Sequence, residues 1–305
     1  MRTANLDDRL ALVGEDGAVD VEKASDGLFS ADPQAVYDRW EEFTAWARSP
    51  AARQAERIPV DENRLGPPAP RPRQVFAAGL NYAEHAAESN VEKPRYPPVF
   101  TKFPTSLTGP YDTVTLPSTV VDWEVELVAV IGSRAYGVRA ENAWPHVAGL
   151  TVGQDLSERL VQLSPPSPQF SLGKSFPGFS PTGPFLVTPD EFDDPDDLAI
   201  GCAVNGETMQ QARTSNMIFS VPRLIAWISA ICPLLPGDLL FTGTPSGIGG
   251  TRDPRRFLAP GEELHSWVDG LGSLRNRLVA GPTYPAGLVP LPEGVPARTA
   301  SSPGS

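Results

Sequence analysis

The sequence is poor in histidine and cysteine, and it lacks a long apolar run. It contains 3 histidines and 2 cysteines among 305 residues. Cys202 and Cys232 have no cysteine or histidine at metal-ligand spacing, which argues against a thiolate metal site and favours free thiols in a reducing compartment. No stretch approaches the roughly 20 apolar residues of a membrane-spanning helix, and the N-terminus is charged where a secretory signal is apolar. We therefore expect a cytoplasmic protein without a membrane partner.

Basic residues are also in deficit. The chain has 25 lysines and arginines against 37 aspartates and glutamates, a formal net charge of −12 at pH 7 and a pI of about 4.8. Nucleic-acid binding depends on a basic surface that neutralises phosphates. The charge therefore predicts no nucleic-acid partner.

Proline and glycine, in contrast, are abundant, with 34 and 27 residues. They divide the chain into short segments, which predicts many strands and turns, few long helices and an α+β, β-rich fold. Residues 1–72 have the pattern of a small N-terminal α+β unit followed by an extended linker. Residues 73–280 form the main domain, and the Pro-rich segment 281–305 is expected to be poorly ordered.

Local patterns predict a few elements directly. The segment "RLALVGEDGAVDVEKA" reads as a β-hairpin around a Glu-Asp-Gly turn. Apolar spacing predicts a helix in "DPQAVYDRWEEFTAWARSPAA", with Asp32 as its N-cap. A second helix is predicted in "SVPRLIAWISAICPLL", capped by Ser220 and with Pro222 near its first turn.

Carboxylates alternate along the strand-like segment "VVDWEVELVAVIG". Side chains two residues apart share a face of a strand, so Asp122, Glu124 and Glu126 point the same way. Buried carboxylates need a positive partner, for which a divalent cation is suited. A third acid to join Glu124 and Glu126 is Asp155, which ends the next strand-like run, "AGLTVGQD". Three carboxylates without Cys or His suit Mg²⁺ or Mn²⁺ better than Zn²⁺. The alternative is a solvent-facing sheet edge, and a turn or salt-bridge role suits Asp122 better than ligation.

Two further segments carry side chains that could take part in catalysis. His85 and Glu88 share a helix face, and a carboxylate that orients an imidazole makes a general base. The alternative is an exposed, solvated pair. Lys174 lies in the tight loop "FSLGKSFPGFSPTGP" and could hold a substrate carboxylate or an enolate oxygen, with a surface lysine as the alternative. The turn "FTGTPSGIG" offers backbone N–H groups to an anion.

Seven ordered blocks between residues 75 and 280 resemble the fumarylacetoacetate hydrolase family, in particular its acylpyruvate hydrolase and hydroxyhepta-diene-dioate isomerase-like branch. The blocks are "GLNYAEHAAE", "PPVFTKFPTSL", "DWEVELVAVIG", "AGLTVGQDLSER", "GKSFPGFSPTGP", "VNGETMQQARTSNMIF" and "PGDLLFTGTPSGIG". The resemblance implies a mixed β-roll or barrel catalytic domain, a homodimer and a divalent metal, Mg²⁺ or Mn²⁺. It assigns roles to nine residues: metal ligation to Glu124, Glu126 and Asp155, catalysis to His85, Glu88 and Lys174, and substrate binding to Arg159, Gly243 and Thr244.

The resemblance also implies an activity. We expect a metal-dependent hydrolase that cleaves a C–C bond in a small 2-oxo or 1,3-dioxo acid, such as an acylpyruvate. The same site could decarboxylate or isomerise 2-oxo or 2-hydroxy-dienoic acids, and a non-catalytic member with a structural metal is the rival. The chain departs from the family where Pro177 and Gly178 replace the frequent Asp-Thr, and where "QDLSER" replaces "NDVSAR". These departures leave the substrate open.

Overall fold

The structure is a computed structural model, and it describes residues 1–282. The predicted tail, residues 281–305, therefore falls almost wholly outside the described residues. The strands are β1 Arg2–Leu6, β2 Arg9–Gly14, β3 Gly17–Asp20, β4 Leu65–Gly66, β5 Val75–Ala78, β6 Val99–Thr101, β7 Leu107–Thr108, β8 Val114–Leu116, β9 Val121–Asp122, β10 Val125–Ile131, β11 Val147–Gln154, β12 Ser157–Glu158, β13 Ser180–Val187, β14 Ala199–Val204, β15 Glu207–Arg213, β16 Leu239–Phe241, β17 Glu263–Val268 and β18 Gly272–Ala280.

The helices of the same region are short. They are α1 Val21–Ala24, α2 Trp40–Ala47, α3 Pro50–Gln54, α4 Ala83–Glu88, α5 Arg159–Gln162, α6 Phe170–Gly173 and α7 Val221–Ser229. Single 3₁₀ turns occur at Ala35–Arg39, Glu62–Arg64, Pro104–Ser106, Ala140–Asn142, Trp144–His146, Pro189–Glu191, Thr214–Asn216 and Gly249–Thr251. None of the helices within residues 1–282 has the length and apolar character that crossing a bilayer requires.

Two sheets dominate the architecture. The larger has the order β3-β2-β1-β13-β11-β10-β16-β5-β6, with β4 beside β1 and β7 beside β13. The smaller has the order β15-β14-β17-β18-β8, and β9 pairs with β12 apart from both. The α+β, β-rich class is thus confirmed. The larger sheet does not close into a barrel within the described residues, because its path ends at β6 without returning to β3.

Strand β10 lies inside the larger sheet and is buried on both faces. Leu127, Ala129 and Ile131 join the core that faces the smaller sheet. Val128 and Val130 point the other way into a second core. A strand covered on both faces needs a continuous apolar sequence, which explains the run "LVAVI".

The N-terminal segment supplies the cover for the second face. Val36, Tyr37 and Phe43 pack in the same cluster as Val128 and Phe241 of the central strands. In addition, β1 pairs antiparallel with β13, so the first strand continues the larger sheet. The predicted hairpin is present as β2 and β3. A domain boundary at residue 72 stays a prediction, and in this fold the segment before it shares a sheet and a core with the rest.

Of the two predicted N-caps, Asp32 is wrong, and Ser220 is confirmed in position but not in hydrogen bonding. The first helical turn begins at Ala35, and the Asp32 carboxylate accepts the backbone N–H of Gln34 at 2.9 Å instead of capping a longer helix. Because Pro33 disfavours helical geometry in the residue before it, Asp32 forms a turn. Ser220 does occupy the N-cap position of α7, but its side chain makes no capping hydrogen bond.

The carboxylate segment is not one strand. Trp123 and Glu124 separate β9 from β10, and their backbone N–H groups donate to side chains. The acceptor for Trp123 is the Asp122 carboxylate at 2.9 Å, and the acceptor for Glu124 is the side-chain oxygen of Gln154 at 2.9 Å. Side-chain oxygens thus accept the hydrogen bonds that strand carbonyls would otherwise accept, so the chain can turn while its backbone N–H groups stay satisfied.

We predict that Gly153→Ala lowers the free energy of unfolding by about 1–3 kcal/mol, as for other overpacked cores. A Cβ at Gly153 would lie 2.5 Å from Val128 Cγ2 and 2.7 Å from Phe241 Cε1. Urea denaturation measures the change. Gly79→Ala is the control, because its Cβ would meet its nearest atoms at 3.8 Å. Equal effects of the two substitutions would contradict the steric account.

Candidate active site

Three carboxylates meet where β10 begins and β11 ends. The register pairs Val125 with Gln154, and the backbone N–H of Asp155 donates to the Glu124 carbonyl at 2.9 Å. This pairing brings the side chains of Glu124, Glu126 and Asp155 together, with one oxygen of each within 4.8 Å of the others. All three are buried, with exposures of 6%, 1% and 0% in that order. The alternative of a solvent-facing sheet edge is therefore wrong.

Hydrogen bonds from neighbouring elements hold this cluster. The backbone N–H of Gly243 donates to Glu126 Oε2 at 2.7 Å. The side chain of Gln210 accepts the N–H of Val125 at 3.0 Å, where β10 starts. The backbone N–H of Gly243 is thus already hydrogen-bonded to Glu126. A substrate-binding role for Gly243 stays a prediction.

Two lysines compensate the charge of the carboxylates. Lys174 Nζ donates to Glu124 Oε2 at 2.8 Å, to Asp155 Oδ2 at 2.6 Å and to Ser157 Oγ at 2.7 Å. Lys174 is 2% exposed, so the alternative of a surface lysine is wrong. Lys102 Nζ donates to Asp155 Oδ1 and to the carbonyls of Lys174 and Phe179.

Sequence reasoning missed Lys102. It follows β6 directly, and its side chain is fully buried. The available signal was a lysine between two aromatic residues in the extended segment "FTKFP". A lysine in such surroundings is buried only with an anionic partner, and the sequence did not indicate which one.

The electrostatics separate the two glutamates. Burial alone would raise the pKa of Glu124, but the charges of Lys174 and Arg159 outweigh burial and lower this pKa to about 2. Burial, together with the charges of Asp155 and Glu124, raises the pKa of Glu126 well above its usual value. The cluster thus has one strongly acidic and one weakly acidic glutamate.

The pKa values of the two lysines are also shifted in opposite directions. Burial would lower the pKa of Lys174, but the charges of Asp155 and Glu124 raise it overall. For Lys102, burial lowers the pKa more than the charge of Asp155 raises it. Lys174 therefore carries the more firmly held proton of the two.

The donor set fits a hard divalent cation. All three groups are carboxylates, and Mg²⁺ and Mn²⁺ prefer oxygen ligands, often with water completing the shell. The hydroxyl of Tyr82 is buried without a hydrogen-bond partner among the described residues, and burial, followed by the charge of Glu126, raises its pKa. A buried hydroxyl that is unpaired and feels the charge of Glu126 fits a site that holds a hydrated cation.

Asp122 is held away from this cluster. It forms a buried ion pair with Arg159 at 2.7 Å and accepts the backbone N–H groups of Gly249 and Gly250 at 2.7 and 2.8 Å. The salt-bridge role predicted for Asp122 is confirmed. Arg159 also contacts Glu124 Oε1 at 2.7 Å, which joins the two groups of acids.

The predicted base lies on α4. His85 Nδ1 and Glu88 Oε1 are 2.7 Å apart, and the backbone N–H of Gly247 donates to Glu88 Oε2 at 2.9 Å. His85 is 5% exposed, so the alternative of a solvated pair is wrong for the histidine. Because Nδ1 is engaged by Glu88, Nε2 is the ring nitrogen left for a substrate or a water.

A cavity of about 330 Å³ opens beside Glu124 of the carboxylate cluster and His85 of α4. Five of the residues predicted from the sequence line it: His85, Glu124, Arg159, Lys174 and Thr244. Phe100, Phe170 and Phe257 form part of its apolar wall. The Thr244 hydroxyl donates to the Val125 carbonyl at 2.9 Å and accepts from Gln210 at 2.8 Å, so it also supports the start of β10.

Comparison with known proteins agrees with this architecture. The family model described as fumarylacetoacetate (FAA) hydrolase C-terminal matches residues 74–279. The chain belongs to the fumarylacetoacetate hydrolase family. Oxaloacetate tautomerase FAHD2A, mitochondrial, from Bos taurus is 44% identical over 234 residues, which are 76% of this chain and 74% of the relative.

Two solved structures of the family are informative. A protein described as HpcE from Mycobacterium smegmatis has a TM-score of 0.86 and 54% identity, covering 92% of this chain and 100% of its own. Maleylpyruvate hydrolase from Sphingobium sp. SYK-6, solved with manganese (II) ion and pyruvate, has a TM-score of 0.76 and 27% identity over the same shares. The family therefore includes enzymes that act on small acids.

We predict that Mn²⁺ binding displaces a proton from Glu126. Because the pKa of Glu126 is raised, the carboxyl stays protonated at pH values where a free glutamate is ionised. The apparent affinity for Mn²⁺ should rise with pH, by up to about tenfold per pH unit per proton, until the pH passes this pKa.

Titration calorimetry in buffers of different ionisation enthalpy measures the protons released. Glu126→Gln should bind Mn²⁺ more weakly and lose this proton release. Its side-chain oxygen can still accept the Gly243 N–H. Glu262→Gln is the control, since Glu262 pairs with Arg256 rather than with the carboxylate cluster. Undiminished proton release in Glu126→Gln would contradict the assignment.

Proposed function

We propose that this protein is a divalent-metal-dependent enzyme that moves a proton on a small 2-oxo diacid and so interconverts its enol and keto forms. The observation that carries the proposal is one cavity whose lining includes both Glu124 of the buried carboxylate cluster and His85 of the His85–Glu88 pair. The 44% identity to an oxaloacetate tautomerase over three quarters of the chain favours proton transfer over other chemistry of this site.

Glu124, Glu126 and Asp155 would hold the cation, Mg²⁺ or Mn²⁺. A cation bound there supplies a positive charge that polarises the 2-oxo group and favours its enolate. A manganese-containing relative supports a divalent metal without deciding between the two ions. Lys174 would contribute a second positive charge to the same region, where an enolate oxygen develops negative charge.

His85 would transfer the proton. The Glu88 carboxylate orients the ring through Nδ1 and stabilises its protonated form, and Gly247 in turn fixes Glu88. In the enol-to-keto direction, protonated His85 gives its Nε2 proton to C3 while the enol O–H proton passes to solvent water, which then returns a proton to Nε2. One proton and one double bond change place, and no other atom is gained or lost. Arg159 and Thr244 line the cavity where they can bind the substrate carboxylate.

Hydrolytic cleavage of an acylpyruvate, the activity that the sequence favours, is the second candidate. Its support is the relative named maleylpyruvate hydrolase, solved with pyruvate, and the same His85–Glu88 pair would then take a proton from water. Decarboxylation and a purely structural metal are outcomes that the assay below separates. The homodimer and the cytoplasmic location stay predictions, and the bovine relative carries the word mitochondrial in its name.

The test is ketonisation of freshly dissolved enol-oxaloacetate, followed by loss of the enol absorbance with Mg²⁺, with Mn²⁺ and with EDTA. We expect the rate to depend on the cation. His85→Ala should lower kcat by about 10²- to 10⁴-fold, the usual contribution of a positioned acid or base. His146→Ala is the matched control, because His146 bonds Ser133 at an exposed position.

Two parallel assays distinguish the rivals. CO₂ release from oxaloacetate reports decarboxylation, and loss of the acetylpyruvate chromophore with formation of pyruvate reports hydrolysis. Faster cleavage of acetylpyruvate than ketonisation of oxaloacetate would replace the proposal with hydrolysis. Ketonisation that persists in EDTA or in His85→Ala would refute the assigned roles. Circular dichroism of each variant excludes loss of fold as the cause.

A further inference from the structure

We propose that Arg255 binds the carboxylate at the far end of the substrate and so gives the enzyme its preference for 2-oxo diacids over 2-oxo monoacids. The inference rests on the proposed function for the identity of the 2-oxo acid head. It goes beyond that function by assigning the recognition of the second carboxylate to one residue that has no part in the proton transfer.

The cations that line the cavity fall into two groups. Lys174 contacts Glu124 and Asp155, and Arg159 contacts Asp122 and Glu124, each within 2.8 Å. Arg255 also lines the cavity, but its side chain has no ion pair or hydrogen bond to any residue in the range 1–282. Its guanidinium group is therefore available to an anion that enters from solvent.

Nearby acids do not neutralise this guanidinium. Arg255 also borders a smaller adjoining pocket, whose lining includes Glu88 and Asp253. Glu88 is engaged by His85 and by the backbone N–H of Gly247. Asp253 is exposed and forms no ion pair with Arg255 in the described part of the chain. The positive charge at the mouth of the cavity is thus uncompensated by a protein carboxylate.

The backbone that carries Arg255 is anchored on both sides. Before it, Gly249 and Gly250 donate their N–H groups to the buried Asp122 carboxylate at 2.7 and 2.8 Å. After it, the N–H of Arg256 donates to the Gly249 carbonyl at 3.1 Å, and that of Leu258 donates to the Val121 carbonyl at 2.9 Å. The loop therefore holds Arg255 at a fixed place relative to β9, the strand that precedes Glu124 in the chain.

The chemistry of the cavity suits a molecule with an acid at each end. The head of the substrate would lie at the carboxylate cluster, and its carbon chain would pass the apolar wall that includes Phe170 and Phe257. A guanidinium group binds a carboxylate through two parallel hydrogen bonds, which a lysine cannot imitate. Because Arg255 is exposed, we expect the contact to contribute roughly five- to twentyfold in affinity.

Binding measurements test the inference independently of turnover. The probes are oxaloacetate, 2-oxoglutarate and 2-oxoadipate, each compared with its ester at the distal carboxyl, titrated by calorimetry into the full-length Mn²⁺-loaded protein. We expect the wild type to bind at least one diacid about five- to twentyfold more tightly than its ester. Arg255→Gln should remove this difference and leave the affinity for the ester unchanged. Arg255→Lys should restore only part of it.

Arg277→Gln is the matched control, since it removes the same charge from an exposed position on β18. It should leave the preference intact. A wild type that binds diacid and ester equally, or an Arg255→Gln variant that still prefers the diacid, would overturn the inference. Failure of the proposed function appears elsewhere, as absence of ketonisation in an enzyme whose diacid preference still depends on Arg255.

Discussion

Repulsion among buried carboxylates is the constraint on which this structure depends. Glu124, Glu126 and Asp155 lie within 4.8 Å of one another and away from water, an arrangement that ions of one sign do not tolerate alone. Lys102 and Lys174 offset part of the charge by direct contact. Burial, together with the charges of Asp155 and Glu124, raises the pKa of Glu126, and a divalent cation bound to the cluster would offset these effects.

The fold meets this constraint by concentrating polar support at one end of a strand that is otherwise apolar. Val128 and Val130 pack against the N-terminal segment, while Leu127 and Ala129 pack toward the smaller sheet. At the start of β10, the side-chain oxygens of Gln154 and Gln210 accept the backbone N–H groups of Glu124 and Val125. Packing on both faces thus restrains the strand, and it also restrains Glu124 and Glu126 at the start of the strand.

Cations near the site serve two different purposes, and their partners distinguish them. Arg159 and Lys174 are matched by buried carboxylates, so much of their charge stabilises the site itself. Arg255 lies on an anchored loop and has no such match within residues 1–282. A cation that pairs with a buried carboxylate of the protein therefore stabilises the site, and a cation without such a partner is available to bind a ligand.

The sequence was sufficient to predict the β-rich class and the β2–β3 hairpin, because strand periodicity and turn residues are local properties. The family motifs identified Glu124, Glu126 and Asp155, whereas alternation alone also included Asp122, which lies away from the cluster. The sequence also identified His85 with Glu88, whose spacing places both on one helix turn. Three features could not be predicted and depend on tertiary contacts: Lys102 is buried against Asp155, Gly243 supports Glu126, and the N-terminal segment covers β10. These contacts join residues distant in sequence, and no local pattern encodes which partner a buried charge or an apolar face will meet.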